Sequence, residues 1–341
     1  MNILIWGAGA IGGTVGAYLQ RAGHDITFVD VVSDHVDAIN SQGLIIEGPI
    51  DTFTIQGKAF TPETLTTTGQ TFETIFLCVK AHHTENACKM LEPFLTSNSC
   101  VVSLQNGLNE TIIAGVLGEA RTVGCFVNFG ADYLEAGRIH YGGRGAVVVG
   151  ELDGQTSQRV QDIHGALLEF DDAAIITDNI WGYLWSKLGY GAMLFATALT
   201  NESIADCLAN PKYQQLFTEL PQEVMRVALA RGIQPEAFNG FDPHAFMPGA
   251  PEAQSKTSLA GMVAFNRRSA KTHTGVWRDL AVRKRKTEID VQLVPILPLA
   301  AEVGVAVPYL EQLVTLIHEV EDGVVGQDLT LLDVLEQRAN T

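Results

Sequence analysis

A short glycine-rich segment near the N-terminus has the spacing of a phosphate-binding turn. It follows the apolar run 2–6, precedes a helical pattern, and consists of Gly7, Ala8, Gly9, Ala10, Ile11 and Gly12. In such a turn the first glycine permits the tight bend, the second lets a pyrophosphate approach the backbone, and the third lets the helix pack on the strand. The free N–H groups at the start of the helix favour negative charge. The segment therefore predicts the binding of a dinucleotide.

An acidic residue lies at the end of the second predicted strand. Asp30 stands at the offset from the glycine segment where a carboxylate accepts hydrogen bonds from the hydroxyls of the adenosine ribose. The same carboxylate repels a 2′-phosphate, and residues 31–34 include neither Arg nor Lys. We therefore expect NAD(H) as the preferred cofactor, with NADP(H) as the alternative.

Two further polar residues follow predicted strands at the same edge of the sheet. Lys80 comes after the apolar run 74–79, and Asn106 comes after the run 100–104. Ligands of open α/β sheets bind at the carboxyl ends of the strands. Lys80 can therefore reach the phosphate or ribose of the cofactor. Asn106 can both donate and accept hydrogen bonds at the nicotinamide or the substrate.

These residues need a sheet to position them, and the first half of the chain has the pattern of one. Short β-rich runs alternate with helical patterns, which is typical of a parallel sheet covered by helices. We predict strands at 2–6, 25–30, 74–79 and 100–104, and helices at 11–22 and 84–94. The segment 121–150 is β-rich, with Gly142-Gly143 as a turn signal. We expect it to extend the sheet with antiparallel strands.

The β character ends near Thr177, and helical periods dominate from there to the C-terminus. We therefore predict an α/β protein in two domains. A Rossmann-type dinucleotide-binding sheet domain covers residues 1–177, and an all-helical substrate and catalytic domain covers residues 178–341.

The composition disfavours several classes of function. The chain has 341 residues, 46% of them hydrophobic, which suits two domains with sizeable cores. A formal net charge of −17 at pH 7 argues against binding to nucleic acid or to anionic membranes. The basic run 283–286 is the local exception, and it is either a salt-bridged helix face or an anion-steering rim beside a substrate cleft.

Cysteine and histidine usage indicates the compartment and argues against a metal. The five cysteines have no CxxC or metal-ligand spacing, which is typical of free thiols in a reducing cytoplasm. The histidines also lack partners at ligand spacing, so we expect no metal. The late apolar stretch 291–301 is short and contains two prolines, so it does not predict a membrane span. Because the apolar run from Ile3 leads directly into the glycine segment, we expect no signal peptide. These observations together favour a cytoplasmic protein.

Taken together, the motifs resemble those of the ketopantoate reductase (2-dehydropantoate 2-reductase) family. The matching pieces span nearly the whole chain in the order of the family: GAGAIG at 7–12, VKA at 79–81, QNG at 105–107, LWSKL at 184–188 and TEID at 287–290. The resemblance implies a Rossmann domain followed by a helical domain, with the active site in the cleft between them. It also implies reduction of a 2-oxo acid by a nicotinamide hydride. Helical domains of this type often pair, so the resemblance allows a homodimer.

The resemblance assigns catalytic roles to three residues. Lys187 resembles the lysine that donates a proton to the carbonyl oxygen, or removes it in the oxidising direction. Glu288 resembles the glutamate that orients substrate and lysine, and Asn106 the asparagine shared between substrate and nicotinamide. These roles agree with the chemistry, because hydride addition to a carbonyl leaves an alkoxide that an ammonium stabilises and protonates.

The positions that bind substrate depart from the family pattern. In the family, asparagines stand four and eight residues after the lysine, whereas this chain has Gly191 and Phe195 there. The serine that grips the substrate carboxylate is also missing from its expected position at 275–276. His273 is either a histidine held by a hydrogen bond in the core or a substrate ligand or proton relay. The candidates for replacement contacts are His273, Thr274 and Arg278.

The sequence therefore predicts an oxidoreductase acting on CH–OH groups with NAD or NADP as acceptor. Its small-molecule substrate is a hydroxy acid, or a related polar alcohol, which it interconverts with the keto form. The preference for NAD suggests oxidation of the alcohol as the working direction. Two alternatives remain: a true 2-dehydropantoate 2-reductase with a rebuilt pocket, and a non-catalytic dinucleotide-binding redox sensor.

Overall fold

The computed structural model describes residues 1–268 and 272–337. The chain divides into two compact units, residues 1–180 and the residues from Trp181 onward. We call them the sheet unit and the helical unit.

All strands of the described ranges, 1–268 and 272–337, belong to the sheet unit. Their bounds are β1 Asn2–Trp6, β2 Asp25–Val29, β3 Leu44–Glu47, β4 Phe53–Ile55, β5 Ala59–Phe60, β6 Phe72–Leu77, β7 Leu95–Ser103, β8 Thr122–Val127, β9 Gly130–Glu135, β10 Arg138–Gly143, β11 Val147–Glu151 and β12 Ile175–Ile176. The helices of this unit are α1 Ala10–Arg21, α2 Ser33–Gln42, α3 Pro62–Thr66, α4 Thr84–Leu91, α5 Asn109–Leu117 and α6 Gln158–Phe170.

The main sheet is parallel along most of its width, as a Rossmann-type domain requires. Its order is β12-β11-β8-β7-β6-β1-β2-β5 within residues 1–180, which the structure describes throughout. All neighbours from β8 to β5 are parallel, and β11 runs antiparallel to β8. Helices cover both faces, so side chains on both faces of the central strands, such as Leu4 and Ile5, are fully buried. The carboxyl ends of β7, β6, β1 and β2 therefore lie side by side at one edge.

A second, four-stranded sheet corrects part of the prediction for 121–150. Its order is β4-β3-β10-β9, with β10 parallel to β3 and antiparallel to β9. The prediction of an antiparallel extension of the main sheet is confirmed for β11. It is wrong for β8, which extends the main sheet but runs parallel to β7, and for β9 and β10, which belong to the second sheet. The turn predicted at Gly142-Gly143 is also wrong, because these glycines end β10. The hairpin instead turns at 136–137, where Gly137 has φ +75°, a conformation that favours glycine.

In the helical unit, the regular elements of residues 181–268 and 272–337 are helices, as the sequence predicts. They are α7 Ile180–Thr197, which starts at the last residue of the sheet unit, α8 Ile204–Ala209, α9 Gln214–Ala230, α10 Glu252–Arg268, α11 Gly275–Ala281, α12 Ile289–Gln292, α13 Ile296–Glu302, α14 Pro308–Glu321 and α15 Thr330–Gln337. Among the described residues, none of the helices combines the length and apolarity that crossing a bilayer demands.

Helix α14 begins at a buried carboxylate supplied by α9. Glu223 has a fully buried side chain, and its two carboxyl oxygens accept hydrogen bonds from the backbone N–H groups of Tyr309 (3.0 Å) and Leu310 (2.8 Å). These are two of the N–H groups that a helix start leaves without a partner. Glu223 thereby fixes α14 against α9, at the cost of burying a carboxyl group.

Candidate active site

The glycine segment forms the tight connection from β1 to α1. The backbone N–H groups of Gly7 and Ala8 both donate to the carbonyl of Val29 at the end of β2 (2.8 and 3.1 Å), and Gly7 has φ +103°. A Cβ on Gly12 would lie 2.2 Å from the carbonyl oxygen of Gly7. Only glycine at position 12 therefore lets α1 start this close to the strand.

Helix α1 starts beside open space. Gly9 is its N-cap residue, no side chain among the described residues caps the first turn, and that turn contains no acidic residue. A Cβ on Gly9 would meet no atom within 4 Å. Ala8 is buried, whereas Gly9, Ala10 and Ile11 are partly exposed. The N–H groups of the first turn and the positive end of the helix dipole suit the pyrophosphate of a dinucleotide.

Asp30 lies directly after β2, at the same edge of the sheet. Its N–H donates to the carbonyl of Phe60 (3.1 Å), and its Oδ1 accepts from the N–H of Val32 (3.0 Å). Burial raises the pKa of the nearby Tyr133 hydroxyl, and the carboxylates of Asp30 and Asp34 raise it further. Two carboxylates therefore lie near the Tyr133 hydroxyl on this side of the edge.

Lys80 and Asn106 are both exposed and follow β6 and β7, respectively. The two loops are joined by Gln105, which was not among the site residues predicted from the sequence. It is 4% exposed, and its Nε2 donates to the carbonyl of Val79 and to the hydroxyl of Thr84, both at 2.8 Å. Its only sequence signal is its place before Asn106 in the QNG motif. The structure thus brings the glycine turn, Asp30, Lys80 and Asn106 to adjacent strand ends.

The two other proposed catalytic residues lie in the helical unit. Lys187 is on α7 and partly exposed, between the buried Ser186 and Leu188. Glu288 is partly exposed and is the N-cap residue of α12. Its position is held through Thr287, whose N–H and hydroxyl both donate to Oε1 of Glu321 (2.7 and 2.6 Å).

The two positions that replace the family's asparagines differ in their surroundings. Gly191, one helical turn after Lys187, is partly exposed, and a Cβ there would meet nothing within 4 Å. Phe195 is 1% exposed and belongs to the core of the helical unit. Gly191 therefore borders open space, whereas Phe195 acts through packing.

His273 and Thr274 have structural partners within the helical unit. The ring of His273 lies 4.2 Å from that of Trp277, and its Nε2 is 3.2 Å from the carbonyl oxygen of Asn201. Its Nδ1 is 2.9 Å from the hydroxyl of Thr272. Thr274 is the N-cap of α11, and its hydroxyl accepts from the N–H of Trp277 (2.9 Å). These contacts hold the start of α11 in place.

The basic run at 283–286 largely forms ion pairs. Arg283 and Arg285 both contact Oδ1 of Asp279 at 2.9 Å, and Lys286 lies 3.8 Å from Asp322. This matches the salt-bridged alternative of the sequence analysis. Across 1–268 and 272–337, no group of three or more His, Cys, Asp or Glu residues is arranged to hold a metal ion.

The chain has a Rossmann-type sheet unit with a glycine turn suited to phosphate, followed by a helical unit. This architecture is typical of dinucleotide-dependent α/β enzymes. Two family models match: "Ketopantoate reductase PanE/ApbA" over residues 3–154 and "Ketopantoate reductase PanE/ApbA C terminal" over residues 179–321. The chain therefore belongs to the ketopantoate reductase family. It is an oxidoreductase of the kind that acts on CH–OH groups, and NAD or NADP is the typical cofactor of this family.

Curated relatives agree with this assignment. The 2-dehydropantoate 2-reductase of Pyrococcus horikoshii is 31% identical over 242 residues, which cover 69% of this chain and 75% of the relative. The enzyme of the same name from Archaeoglobus fulgidus is 28% identical over 325 residues, which cover 95% of this chain and 99% of the relative.

Solved structures share the fold over nearly the full length. A ternary structure of D-mandelate dehydrogenase with NADH and anilino(oxo)acetate has a TM-score of 0.81 at 21% identity, covering 95% of this chain and 99% of that chain. A PanE/ApbA family ketopantoate reductase from Ralstonia eutropha JMP134 has a TM-score of 0.78 at 22% identity, with the same coverage. One fold therefore serves an enzyme named for a hydroxy acid, mandelate, and an enzyme named for a 2-oxo acid, ketopantoate.

Proposed function

We propose that this protein is an NAD(H)-dependent oxidoreductase that interconverts a 2-hydroxy acid with its 2-oxo acid, and that its substrate is not 2-dehydropantoate. The observation that carries the proposal is the uncapped start of α1 at Gly9, next to Asp30 at the end of β2. This pair supplies an anion site for a pyrophosphate and an acceptor for a ribose.

The charge around Asp30 supports NAD(H) over NADP(H). Asp30 and Asp34 both act on Tyr133, so two carboxylates lie close to where the adenosine ribose would bind. A 2′-phosphate carries about two negative charges at pH 7. Its binding there would oppose both carboxylates, whereas a ribose hydroxyl can donate to Asp30.

The proposed chemistry uses three side chains. The glycine turn and Asp30 would hold NAD(H), which when bound would supply the hydride chemistry at the carbon that carries the substrate oxygen. The ammonium of Lys187 stabilises the negative charge on that oxygen and donates a proton to it, or accepts the proton during oxidation. Glu288 orients the lysine and the substrate through its carboxylate, and Asn106 offers an amide that both donates and accepts.

The substitutions on α7 support a different substrate side chain. Gly191 supplies no hydrogen-bonding group and leaves open space, and Phe195 is apolar and buried. Both changes remove polar groups where the family binds the hydroxylated chain of ketopantoate. They favour an acid whose substituent is bulkier or less polar.

A screen of 2-hydroxy and 2-oxo acids, followed by NADH absorbance and repeated with NADP(H), tests the proposal. We expect turnover with NAD(H), and we expect Lys187→Ala to lower kcat by about 100-fold or more while cofactor affinity stays unchanged. Lys256→Ala is the matched control, because Lys256 is an exposed lysine on α10 that pairs with Glu252. It should leave kcat unaltered.

Three outcomes would contradict the proposal. Full activity of Lys187→Ala would remove the proposed proton donor. Efficient turnover of 2-dehydropantoate above all other acids would identify a true 2-dehydropantoate 2-reductase with a rebuilt pocket. Binding of NAD(H) without turnover of any acid would identify a redox sensor.

A further inference from the structure

His35 is a buried histidine to which the proposed chemistry gives no role. It lies in the first turn of α2, five residues after Asp30, and is 1% exposed. Its two ring nitrogens contact backbone groups far away in the sequence. Nε2 is 2.8 Å from the carbonyl oxygen of Ala8, and Nδ1 is 2.9 Å from the backbone nitrogen of Gly137.

The contacts define which ring nitrogen carries the proton. The backbone N–H of Gly137 can only donate, so Nδ1 of His35 accepts. The proton of the neutral ring is then on Nε2, which donates to the carbonyl of Ala8. His35 therefore joins the glycine turn to the β9–β10 hairpin by one donated and one accepted hydrogen bond. The ring of Tyr133, on β9, packs edge-on against it with centroids 5.1 Å apart.

The carbonyl that His35 binds belongs to the Ala8–Gly9 peptide of the glycine turn. Ala8 is fully buried and precedes α1, whose N-terminal hydrogen bond runs from Gly13 to the carbonyl of Gly9 (2.7 Å). The carbonyl of Ala8 and the N–H of Gly9 lie in one planar peptide and point in opposite directions. Fixing that carbonyl toward His35 therefore fixes the Gly9 N–H toward the opposite side.

We propose that His35 is a positioning residue for the cofactor. Its Nε2–H holds the Ala8–Gly9 peptide so that the N–H of Gly9 is presented to the pyrophosphate. Its bond to Gly137 keeps the ring in place against the second sheet. The inference rests on the proposed dinucleotide site and extends it to a residue outside the glycine motif and the strand ends.

Two amide substitutions separate the two hydrogen bonds. In His35→Gln the side-chain amide nitrogen reaches the place of Nε2 and can still donate to Ala8. In His35→Asn the shorter amide reaches only the place of Nδ1, where its oxygen can accept from Gly137. If His35 positions the turn, the glutamine variant keeps cofactor affinity and the asparagine variant loses it.

The measurement is an NADH titration followed by protein fluorescence, with thermal unfolding of each cofactor-free variant. We expect His35→Asn to raise the Kd for NADH at least about tenfold, and His35→Gln to stay within about threefold of the unmodified protein. At saturating cofactor, the KM for the acid substrate should stay the same in both variants. If His35→Asn does not fold, His35→Phe replaces it, because it keeps the aromatic contact with Tyr133 and lacks both hydrogen bonds.

His164 offers a matched control in the same unit. Its Nε2 also lies 3.0 Å from a backbone carbonyl, that of Ala174, which is outside both the glycine turn and the β9–β10 hairpin. His164→Asn should leave the Kd for NADH unchanged. Equal losses of affinity in His35→Gln and His35→Asn, or no loss in either, would overturn the inference. Failure of the unmodified protein to bind NADH or NADPH would contradict the proposed function instead.

Discussion

Alanine substitutions at two glycines of the turn, Gly9 and Gly12, should affect different properties: the first cofactor binding, the second stability. At Gly9 an added methyl group enters open space, and the backbone has an ordinary φ of −67°. Gly9→Ala should therefore change the free energy of unfolding by no more than about 1 kcal/mol. The methyl group would occupy the space that a pyrophosphate needs beside the N–H groups of α1. Loss of one charge-assisted hydrogen bond costs about 2 kcal/mol, which corresponds to about a thirtyfold rise in the Kd for NADH.

Gly12→Ala should chiefly lower the stability of the protein. Its Cβ would lie 2.2 Å from the carbonyl oxygen of Gly7 and 2.8 Å from side-chain carbons of Cys78 and Ile5. Because a backbone oxygen and two core side chains cannot move aside without disturbing the turn, we expect a loss of about 3 kcal/mol in unfolding free energy. For a unit of this size, that loss corresponds to a fall in Tm of about 6 to 12 °C.

Thermal unfolding without cofactor and NADH titration, applied to both variants, check this reasoning. The expected pattern is a stable Gly9→Ala protein with weak NADH binding and a destabilised Gly12→Ala protein. Normal NADH affinity in Gly9→Ala would show that the pyrophosphate does not approach the backbone there, and the assignment of the turn would be wrong. If Gly9→Ala loses as much stability as Gly12→Ala, the conclusion that Gly9 borders open space and Gly12 does not would be wrong.

Three further perturbations test other parts of the molecule. Asp30→Ala should raise the Kd for NAD about tenfold and bring it closer to the Kd for NADP in parallel titrations. An unchanged ratio of the two Kd values would show that another residue sets the preference for NAD. Arg159→Ala should cost about 2 kcal/mol in urea unfolding, because the buried Glu151 carboxylate loses both hydrogen bonds from Arg159 (2.7 and 2.5 Å) and keeps only the one from Ser157. An unaltered urea midpoint would show that the Arg159–Glu151 pair contributes nothing to stability. Burial raises the pKa of Glu223 from its ordinary value of about 4.5 to about 7, so its contribution to stability is complete below about pH 4.5 and is lost as pH rises through 7. A loss of about 3 kcal/mol across this range is expected in the unmodified protein and not in Glu223→Gln, and parallel pH profiles of the two would contradict it.

The first βαβ unit could be predicted from sequence because its determinants are local. The predicted strands 2–6 and 25–30 match β1 and β2 to within one residue, and the predicted helix 11–22 matches α1 equally well. Each boundary carries its own signal, such as the glycine turn before α1 and Gly23 after it. The placement of Lys80 and Asn106 followed for the same reason, since consecutive parallel strands end at one edge of a sheet.

The second sheet could not be predicted because its pairing is non-local. Strand β3 pairs with β10, about 90 residues further along the chain. Nothing in the sequence of either strand indicates which strand it pairs with. The Gly142-Gly143 pair is the stronger turn signal on local grounds, yet the hairpin turns at 136–137. The backbone of Gly137 is held there by His35 and by Ile45, whose N–H donates to its carbonyl (2.8 Å). Local turn preference was therefore overridden by contacts from distant segments.

The same non-local contacts explain why the motif alone gives an incomplete account of the candidate site. The partners of His35 lie 27 and 102 residues away, so no spacing rule could have singled it out. The negative charge at Asp30 likewise acts on Tyr133 of β9, in the sheet that the sequence did not reveal. If His35 positions the Ala8–Gly9 peptide, the β9–β10 hairpin of the second sheet stabilises the cofactor site through the hydrogen bond from Gly137 to His35. A substitution at Gly137 that leaves the glycine motif intact should then still weaken NADH binding.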